Sequence, residues 1–200
     1  MQKLTILNTR DVKEIKKQLV AQFGYAPEEN YAYLKNEKDR LFIVNREVAQ
    51  LDLDKLHIDR LGLYFAEVRP GYIRLSKEGA QLLVHEAKKK DAEVKNPNHS
   101  RAAGHSLPEA VGFLLPEMGI ESRSGAAGYK THFSGLKNAV LLSKIEARAY
   151  FAGVDLKKDL GNENRLILVI YEEDVLGCAS YKEGKILNFL PKTHRGEIIL

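Results

Sequence analysis

Few residues in this 200-residue sequence have the types and spacing that catalysis or metal binding requires. No Gly-x-x-x-x-Gly-Lys-Ser/Thr loop is present, and no Gly-x-Gly-x-x-Gly follows a strand-like run, so the common phosphate-cradling motifs are missing. The six histidines show no i, i+4 pair and no metal-ligand spacing: they are His57, His85, His99, His105, His132 and His194. The single cysteine, Cys178, follows Gly177 in a strand-like run, which favours a buried small hydrophobe over a nucleophile. The sequence predicts no catalytic residue, no metal site and no cofactor.

Basic residues are more informative, because they cluster in two segments of the chain. Residues 123–148 contain a single acid, Glu146, and five basic residues: Arg123, Lys130, Lys137, Lys144 and Arg148. Residues 185–195 contain Lys185, Lys192 and Arg195 and no acid. The net charge of +4 and the pI of about 9.0 suit a polyanionic partner without reaching histone-like values. The clusters indicate either a solvated basic face or a surface that contacts phosphates.

Length and composition limit the class of protein further. Two hundred residues allow one domain or two small ones, and 44% hydrophobic with 29% charged residues are globular values. The longest apolar runs, such as residues 166–170, are too short to cross a bilayer. Residues 1–5 show no secretion signal. We therefore expect a soluble cytoplasmic protein.

Hydrophobic periodicity predicts the helices and strands of the chain. In the N-terminal part it predicts a strand over 4–7, a helix capped by Asn8 or Thr9 and ending at Gly24, and a hairpin of strands 31–34 and 40–44. Further strands are predicted over 56–58, 61–66 and 71–75, and Ser76 is expected to cap a helix that runs to about residue 90. These elements predict a compact α/β unit.

The C-terminal third also carries clear signals. Ser143 and Glu146 form a capping box, and the helix they open runs to Phe151. Residues 165–171 form a continuous apolar run and predict a buried strand, followed by strands over 174–181 and 185–190 around a tight turn at 182–184. Between the two parts, residues 93–140 read as a linker or insert with a short helix after Ser106. The sequence thus predicts a small barrel-like β domain at the C-terminal end.

The C-terminal elements resemble a known RNA-binding module. The helix end at 150–153, the Leu176-Gly177 pair and the closing segment with Lys192 and Arg195 are similar to the C-terminal PUA-like domain of Fmu-type (NOL/NOP/Fmu) RNA cytosine-5 methyltransferases. Residues 60–67 resemble the segment that precedes this domain, with a layout like the pre-PUA domains of Nip-type ribosome-biogenesis factors. Leu187-Asn188 stands where the family pattern has Lys-Asn.

This resemblance implies an α+β fold, with an N-terminal α/β pre-PUA domain over 1–92 and a C-terminal PUA-like small β-barrel over 141–200. It implies a non-catalytic RNA-binding protein, since no methyltransferase unit fits in this length. The expected role is that of a stand-alone factor in ribosome biogenesis, rRNA processing or RNA modification, with structured rRNA or tRNA as its partner and an RNA-modifying enzyme or pre-ribosome as a further one. The implied RNA-binding residues are Lys144, Arg148, Lys185, Asn188, Lys192 and Arg195.

Two other functions stay open at this point. One is an enzyme with a site near His99, His105 and His132 and the loop over 122–129. The other is a protein-interaction adaptor in a larger particle, with residues 91–140 as the docking surface. A deep pocket where the histidines converge would favour the enzyme, whereas a basic groove would favour RNA binding.

Overall fold

The computed structural model of the chain describes residues 4–50, 61–95, 135–190, 192 and 195–196. The strand predicted at 56–58, the short helix predicted after Ser106 and the histidines His99, His105 and His132 lie outside the described residues. The described residues form two five-stranded sheets and three α-helices. None of the described helices is long and apolar enough to span a membrane.

The N-terminal sheet is an antiparallel meander in which each strand pairs with its neighbour in sequence. Its strands, in the spatial order β1-β2-β3-β4-β5, are β1 (Leu4–Ile6), β2 (Tyr31–Asn36), β3 (Arg40–Asn45), β4 (Leu63–Arg69) and β5 (Tyr72–Leu75). The predicted hairpin is confirmed as β2 and β3. Its turn is closed by Asn36, whose Oδ1 accepts hydrogen bonds from the backbone N–H groups of Lys38 and Arg40 at 3.0 and 2.9 Å.

Helix α1 (Thr9–Phe23) begins and ends where the sequence predicts. The Asn8 Oδ1 accepts a hydrogen bond from the Asp11 N–H at 2.9 Å, which satisfies one of the orphan donors of the first turn. Gly24 ends the helix in the left-handed conformation, with φ of +80°. The apolar face of α1 is buried through Ile15, Leu19 and Phe23.

Helix α2 (Lys77–Lys95) starts as predicted but runs about five residues further. The Ser76 Oγ accepts from the Gly79 N–H at 2.8 Å and donates to the Tyr64 carbonyl at 2.6 Å, which ties the helix start to β4. A side chain at Gly79 would place its Cβ 1.9 Å from the Phe65 carbonyl oxygen, so glycine permits this close approach. Residues 93–95, assigned to the insert from sequence, belong to this helix, and Pro97, which cannot continue a helix, follows in the sequence.

The C-terminal sheet has the order β6-β8-β9-β10-β7, and only β6 and β8 pair in parallel. Its strands are β6 (Ala139–Leu142), β7 (Leu156–Lys157), β8 (Arg165–Tyr171), β9 (Asp174–Lys182) and β10 (Lys185–Leu187). The sequence predicted β8, β9 and β10 but missed β6 and the two-residue β7. The prediction that β10 extends to Leu190 is wrong, because the Asn188 N–H leaves the ladder and donates to the Asp155 Oδ1 at 2.7 Å.

Helix α3 (Lys144–Phe151) connects β6 to β7 and confirms the predicted capping box. The sheet curls beneath it. Lys158, next to edge strand β7, donates from Nζ to the Leu141 carbonyl of the opposite edge strand β6 at 3.3 Å. The two edges therefore approach each other, and the sheet forms a curled half-barrel. Tyr150 from α3 packs inside it with Tyr181 and Ile186.

Strand β8 joins the two halves of the molecule. Its residues Leu168 and Ile170 pack into a core formed with α1, α2 and the N-terminal sheet, while Ile167 and Val169 face the interior of the half-barrel. All four are fully buried, which explains the continuous apolar run. The fold is α+β, with an N-terminal α/β region and a C-terminal β half-barrel. The division of the chain into separate domains at 92 and 141 stays a prediction.

Candidate nucleic-acid interface

Lysines from three adjacent strands stand opposite one another at the outer surface of the half-barrel. Lys185 on β10 pairs in register with Lys182 on β9 and with Lys157 on β7, and all three side chains are exposed. We call these three residues the lysine row. Residues directly opposite in an antiparallel ladder share a face with their Cβ atoms about 4.5–5.5 Å apart, and like charges there destabilise the sheet. Such a row is suited to an anionic partner that relieves the repulsion.

A tight turn and a backbone hydrogen bond set this alignment. Glu183 and Gly184 both have positive φ, +51° and +73°, as expected for the two-residue turn that places Lys182 directly opposite Lys185. The Lys158 N–H donates to the Gly184 carbonyl at 3.0 Å and so fastens β7 against β10. Lys182 also contacts Glu183 at 3.4 Å, an exposed pair that contributes little to stability.

The lysine next to this row has a different environment. Lys158 has a side chain only 14% exposed and pairs with Glu146 at 2.9 Å. Burial alone would raise the pKa of Glu146, but hydrogen bonds from Lys158 and from Ser143 outweigh burial and hold this pKa below its ordinary value. Glu146 is therefore engaged with Lys158 and with the first turn of α3 rather than with the lysine row.

Of the six residues predicted from sequence, two lie on α3. Lys144 and Arg148 are exposed and one helical turn apart, so their side chains lie on the same side of the helix. Arg148 stands in the last turn, where a cation favours the helix dipole. The two residues add positive charge to the module at a helix that also borders β6 and β7.

Asn188 holds the backbone at the end of α3. Its Nδ2 donates to the Tyr150 carbonyl at 2.5 Å and to the Val154 carbonyl at 3.4 Å, and its Oδ1 accepts from the Leu190 N–H at 2.9 Å. These bonds engage both ends of the amide. The contact of Asn188 with RNA that the sequence predicts is not tested by these bonds, but an amide engaged at both ends favours the alternative prediction that the role of Asn188 is structural.

Arg195 and Lys192 lie in the segment after β10. The Arg195 Nε donates to the Leu190 carbonyl at 3.0 Å, and its guanidinium lies against Gly153, where a Cβ would come within 2.7 Å of Nη1. Lys192 is exposed. Arg195 thus packs against the end of α3, whereas Lys185 belongs to the lysine row. That the six residues bind RNA together stays a prediction.

Two members of the lysine row, Lys157 and Lys182, were not predicted as binding residues. The tight turn at 182–184 was a usable signal for Lys182, since a two-residue turn places its flanking residues face to face. Lys157 had no such signal, because a two-residue strand leaves no periodicity in the sequence.

The structure gives no support to nucleophilic chemistry at Cys178. The thiol is 6% exposed, and burial raises its pKa to about 12. Within the described ranges, no group of three His, Cys, Asp or Glu residues could hold a metal ion.

The curled β half-barrel with its capped helix has the elements that the sequence analysis expected of a PUA-like module, a type of domain that binds RNA. Comparison with known families agrees: residues 137–195 match the methyltransferase RsmF PUA domain. The match begins just before β6 and ends at Arg195, so it includes α3 and the whole C-terminal sheet. Residues 137–195 are therefore a PUA-like module of the kind found in Fmu-type methyltransferases. A comparison with curated proteins finds no match for the chain.

Proposed function

We propose that this protein is a non-catalytic RNA-binding protein that acts on structured rRNA or tRNA in ribosome biogenesis or RNA modification in the cytoplasm. The observation that carries the proposal is the lysine row, which lies inside a module of RNA-binding type. Its further partner would be an RNA-modifying enzyme or a pre-ribosome.

The row suits the RNA backbone rather than the bases. Lysine is a compact point charge on a flexible stem, so it contacts phosphates without demanding one geometry. Phosphate contacts position the protein on the RNA and carry no sequence information by themselves. Three aligned ammonium groups, with Lys144 and Arg148 on α3, supply three to five phosphate contacts. Binding should therefore tolerate many sequences and depend strongly on salt.

The salt dependence of RNA affinity provides a quantitative test of this proposal. Each neutralised phosphate adds about 0.7–0.9 to the slope of log affinity against log salt concentration, so three to five contacts give a slope of about −2 to −4. The variant Lys157→Ala, Lys182→Ala, Lys185→Ala should reduce the magnitude of the slope by about 2. If each exposed contact contributes about 0.5–1 kcal/mol, affinity for a structured tRNA should fall roughly 10- to 100-fold.

The matched control removes three exposed cations from the other half of the molecule. Arg10, Lys13 and Lys17 are exposed on α1, and their replacement by alanine changes the net charge by the same amount. This control should lower affinity less than threefold and leave the slope close to that of the unmodified protein. An equal loss in both variants, or an affinity that does not change with salt, would contradict the proposal.

The non-catalytic part of the proposal has its own test. The thiol of Cys178 is buried and held protonated at neutral pH, which does not suit an attacking nucleophile. The purified chain should transfer no labelled methyl group from S-adenosylmethionine to RNA. Methyl transfer that is abolished in Cys178→Ala would overturn this part.

A further inference from the structure

A cleft lies where the two halves of the molecule meet, away from the turn of the lysine row. It has a volume of about 350 Å³ and lies between β4, β5 and the start of α2 on one side and β9 with the segment after β10 on the other. The residues that matter for its chemistry are Tyr64, Arg74 and Lys77 from the N-terminal half and Gly177 and Phe189 from the PUA-like module. This volume is at the lower end of the range for small-ligand sites, about 300–1,000 Å³.

Aromatic rings and guanidinium groups contact each other in this cleft and beside it, with Tyr64, Arg74 and Phe189 in its lining and Arg40 and Phe42 next to Tyr64. The Arg74 guanidinium lies over the Phe189 ring at 5.5 Å from its centroid and so bridges the two halves. The Arg40 guanidinium lies over the Tyr64 ring at 5.6 Å, and the Tyr64 ring contacts Phe42 with 5.5 Å between centroids. Phe189 is 40% exposed, so part of its ring remains accessible beside the Arg74 guanidinium.

The charge of this surface is positive. Glu67 on β4 has a side chain 9% exposed, and it forms salt bridges with both Arg69 and Arg74. Arg40 stands opposite Glu67 on the neighbouring strand β3. Among the described residues, one buried carboxylate thus faces three guanidinium groups on this face of the sheet.

A β-bulge in β9 lies in the wall of the cleft that the PUA-like module forms. Val169 pairs with Gly177 while Ile170 pairs with Val175, so Leu176 is the extra residue in β9. Gly177 has φ of +142°, and a Cβ there would lie 3.8 Å from the Lys77 Cα, so the bulge brings β9 against the first turn of α2. Bulges of this kind are enriched beside functional sites, where they redirect side chains. The Leu176-Gly177 pair noted in the sequence therefore shapes the cleft.

We propose that the cleft takes one unpaired nucleotide of the bound RNA, with its base on Phe189 and Tyr64 and its phosphate at Arg74 and Lys77. Bases stack on aromatic rings and on arginine planes without strong sequence preference. Glu78 also lines the cleft and offsets the charge of Lys77, so the net attraction for phosphate in the cleft comes from Arg74. This inference rests on the proposed function, because the lysine row holds the neighbouring RNA backbone. It adds recognition of single-stranded RNA next to a structured element.

The experiment compares two RNAs that differ in one feature. The first is a blunt hairpin, and the second is the same hairpin with a short single-stranded oligouridine tail. The unmodified protein should bind the tailed hairpin more tightly. Phe189→Leu removes the ring with little loss of packing, and it should weaken binding of the tailed hairpin about 5- to 100-fold. Binding of the blunt hairpin should change less than twofold.

Three controls make the result specific. Phe189→Tyr keeps an aromatic face and should restore the preference for the tail. Tyr72→Leu is a matched control, because Tyr72 is 42% exposed on β5 and does not line the cleft. Free uridine monophosphate should compete only weakly, since it lacks the contacts of the lysine row. Competition by the free nucleotide as strong as by the tailed hairpin would contradict a site for RNA.

The outcomes separate this inference from the proposed function. If the blunt hairpin binds through the lysine row but Phe189→Leu does not discriminate between the two RNAs, the assignment of the cleft is wrong and the proposed function stands. If the unmodified protein binds neither RNA at low salt, both are overturned. A selective loss in Phe189→Leu, restored in Phe189→Tyr, supports both.

Discussion

Replacing Asn188 with alanine should destabilise the protein without weakening the contact of the folded protein with RNA. The substitution removes two good side-chain hydrogen bonds, from Nδ2 to the Tyr150 carbonyl and from the Leu190 N–H to Oδ1, and one longer bond to the Val154 carbonyl. Each good bond contributes about 1 kcal/mol net. Asn188 is only half-buried, so water replaces part of what is lost. We therefore expect a loss of about 2 kcal/mol in the free energy of unfolding.

Urea unfolding followed by circular dichroism measures this loss, and thermal unfolding should show a decrease in Tm of about 4–8 °C for a chain of this size. Asn164→Ala, in the exposed loop before β8, is the matched control and should change stability by less than 0.5 kcal/mol, as is usual at the surface. RNA affinity, measured well below the transition, should remain within about twofold. Unchanged stability together with a large loss of RNA affinity would refute the reasoning and make Asn188 a direct RNA contact.

Three further predictions follow from the described contacts. Gly24→Ala should destabilise the protein by about 2–4 kcal/mol in urea unfolding. The reason is that Gly24 has positive φ and that a Cβ there would lie 2.0 Å from the Gly135 carbonyl oxygen. Unfolding at the stability of the unmodified protein would contradict this prediction. Cys178 should resist alkylation by iodoacetamide in the native protein and react once the protein unfolds, because burial raises its pKa to about 12; rapid native modification would contradict its burial. Glu146 has a pKa below its ordinary value of 4.5, so its contribution to stability is present above about that pH and is lost as the pH falls through the lowered pKa. Glu146→Gln should therefore flatten this acid limb of the stability profile, and an unchanged limb would show that Lys158 does not stabilise the carboxylate.

Local signals in the sequence predicted the elements whose ends are determined by short-range contacts. The caps of α1 at Asn8 and Gly24 and the capping box at Ser143 are interactions within a few residues, and all are confirmed. The strand at 165–171 was also predicted, because burial on both faces makes its whole sequence apolar. These features required no knowledge of the rest of the chain.

Such local signals cannot predict which distant segments of the chain pair as neighbouring strands. The parallel pairing of β6 with β8 and the placement of β7 beside β10 join segments far apart in sequence, and neither β6 nor β7 is long enough to show a period. Lys157 and Lys185 therefore become neighbours only through register. The cleft could not be predicted from the sequence either, because Arg74 and Phe189 lie far apart in the chain.

Ultraviolet crosslinking of the full chain to a structured RNA, followed by mass spectrometry of the crosslinked peptides, tests most directly whether the PUA-like module is the RNA-binding surface. We predict that the crosslinked peptides come from β7, from the hairpin of β9 and β10 that carries Lys182 and Lys185, and from the segment with Phe189. Crosslinks confined to α1 and strands β1 to β3, with none in the C-terminal half-barrel, would contradict the account.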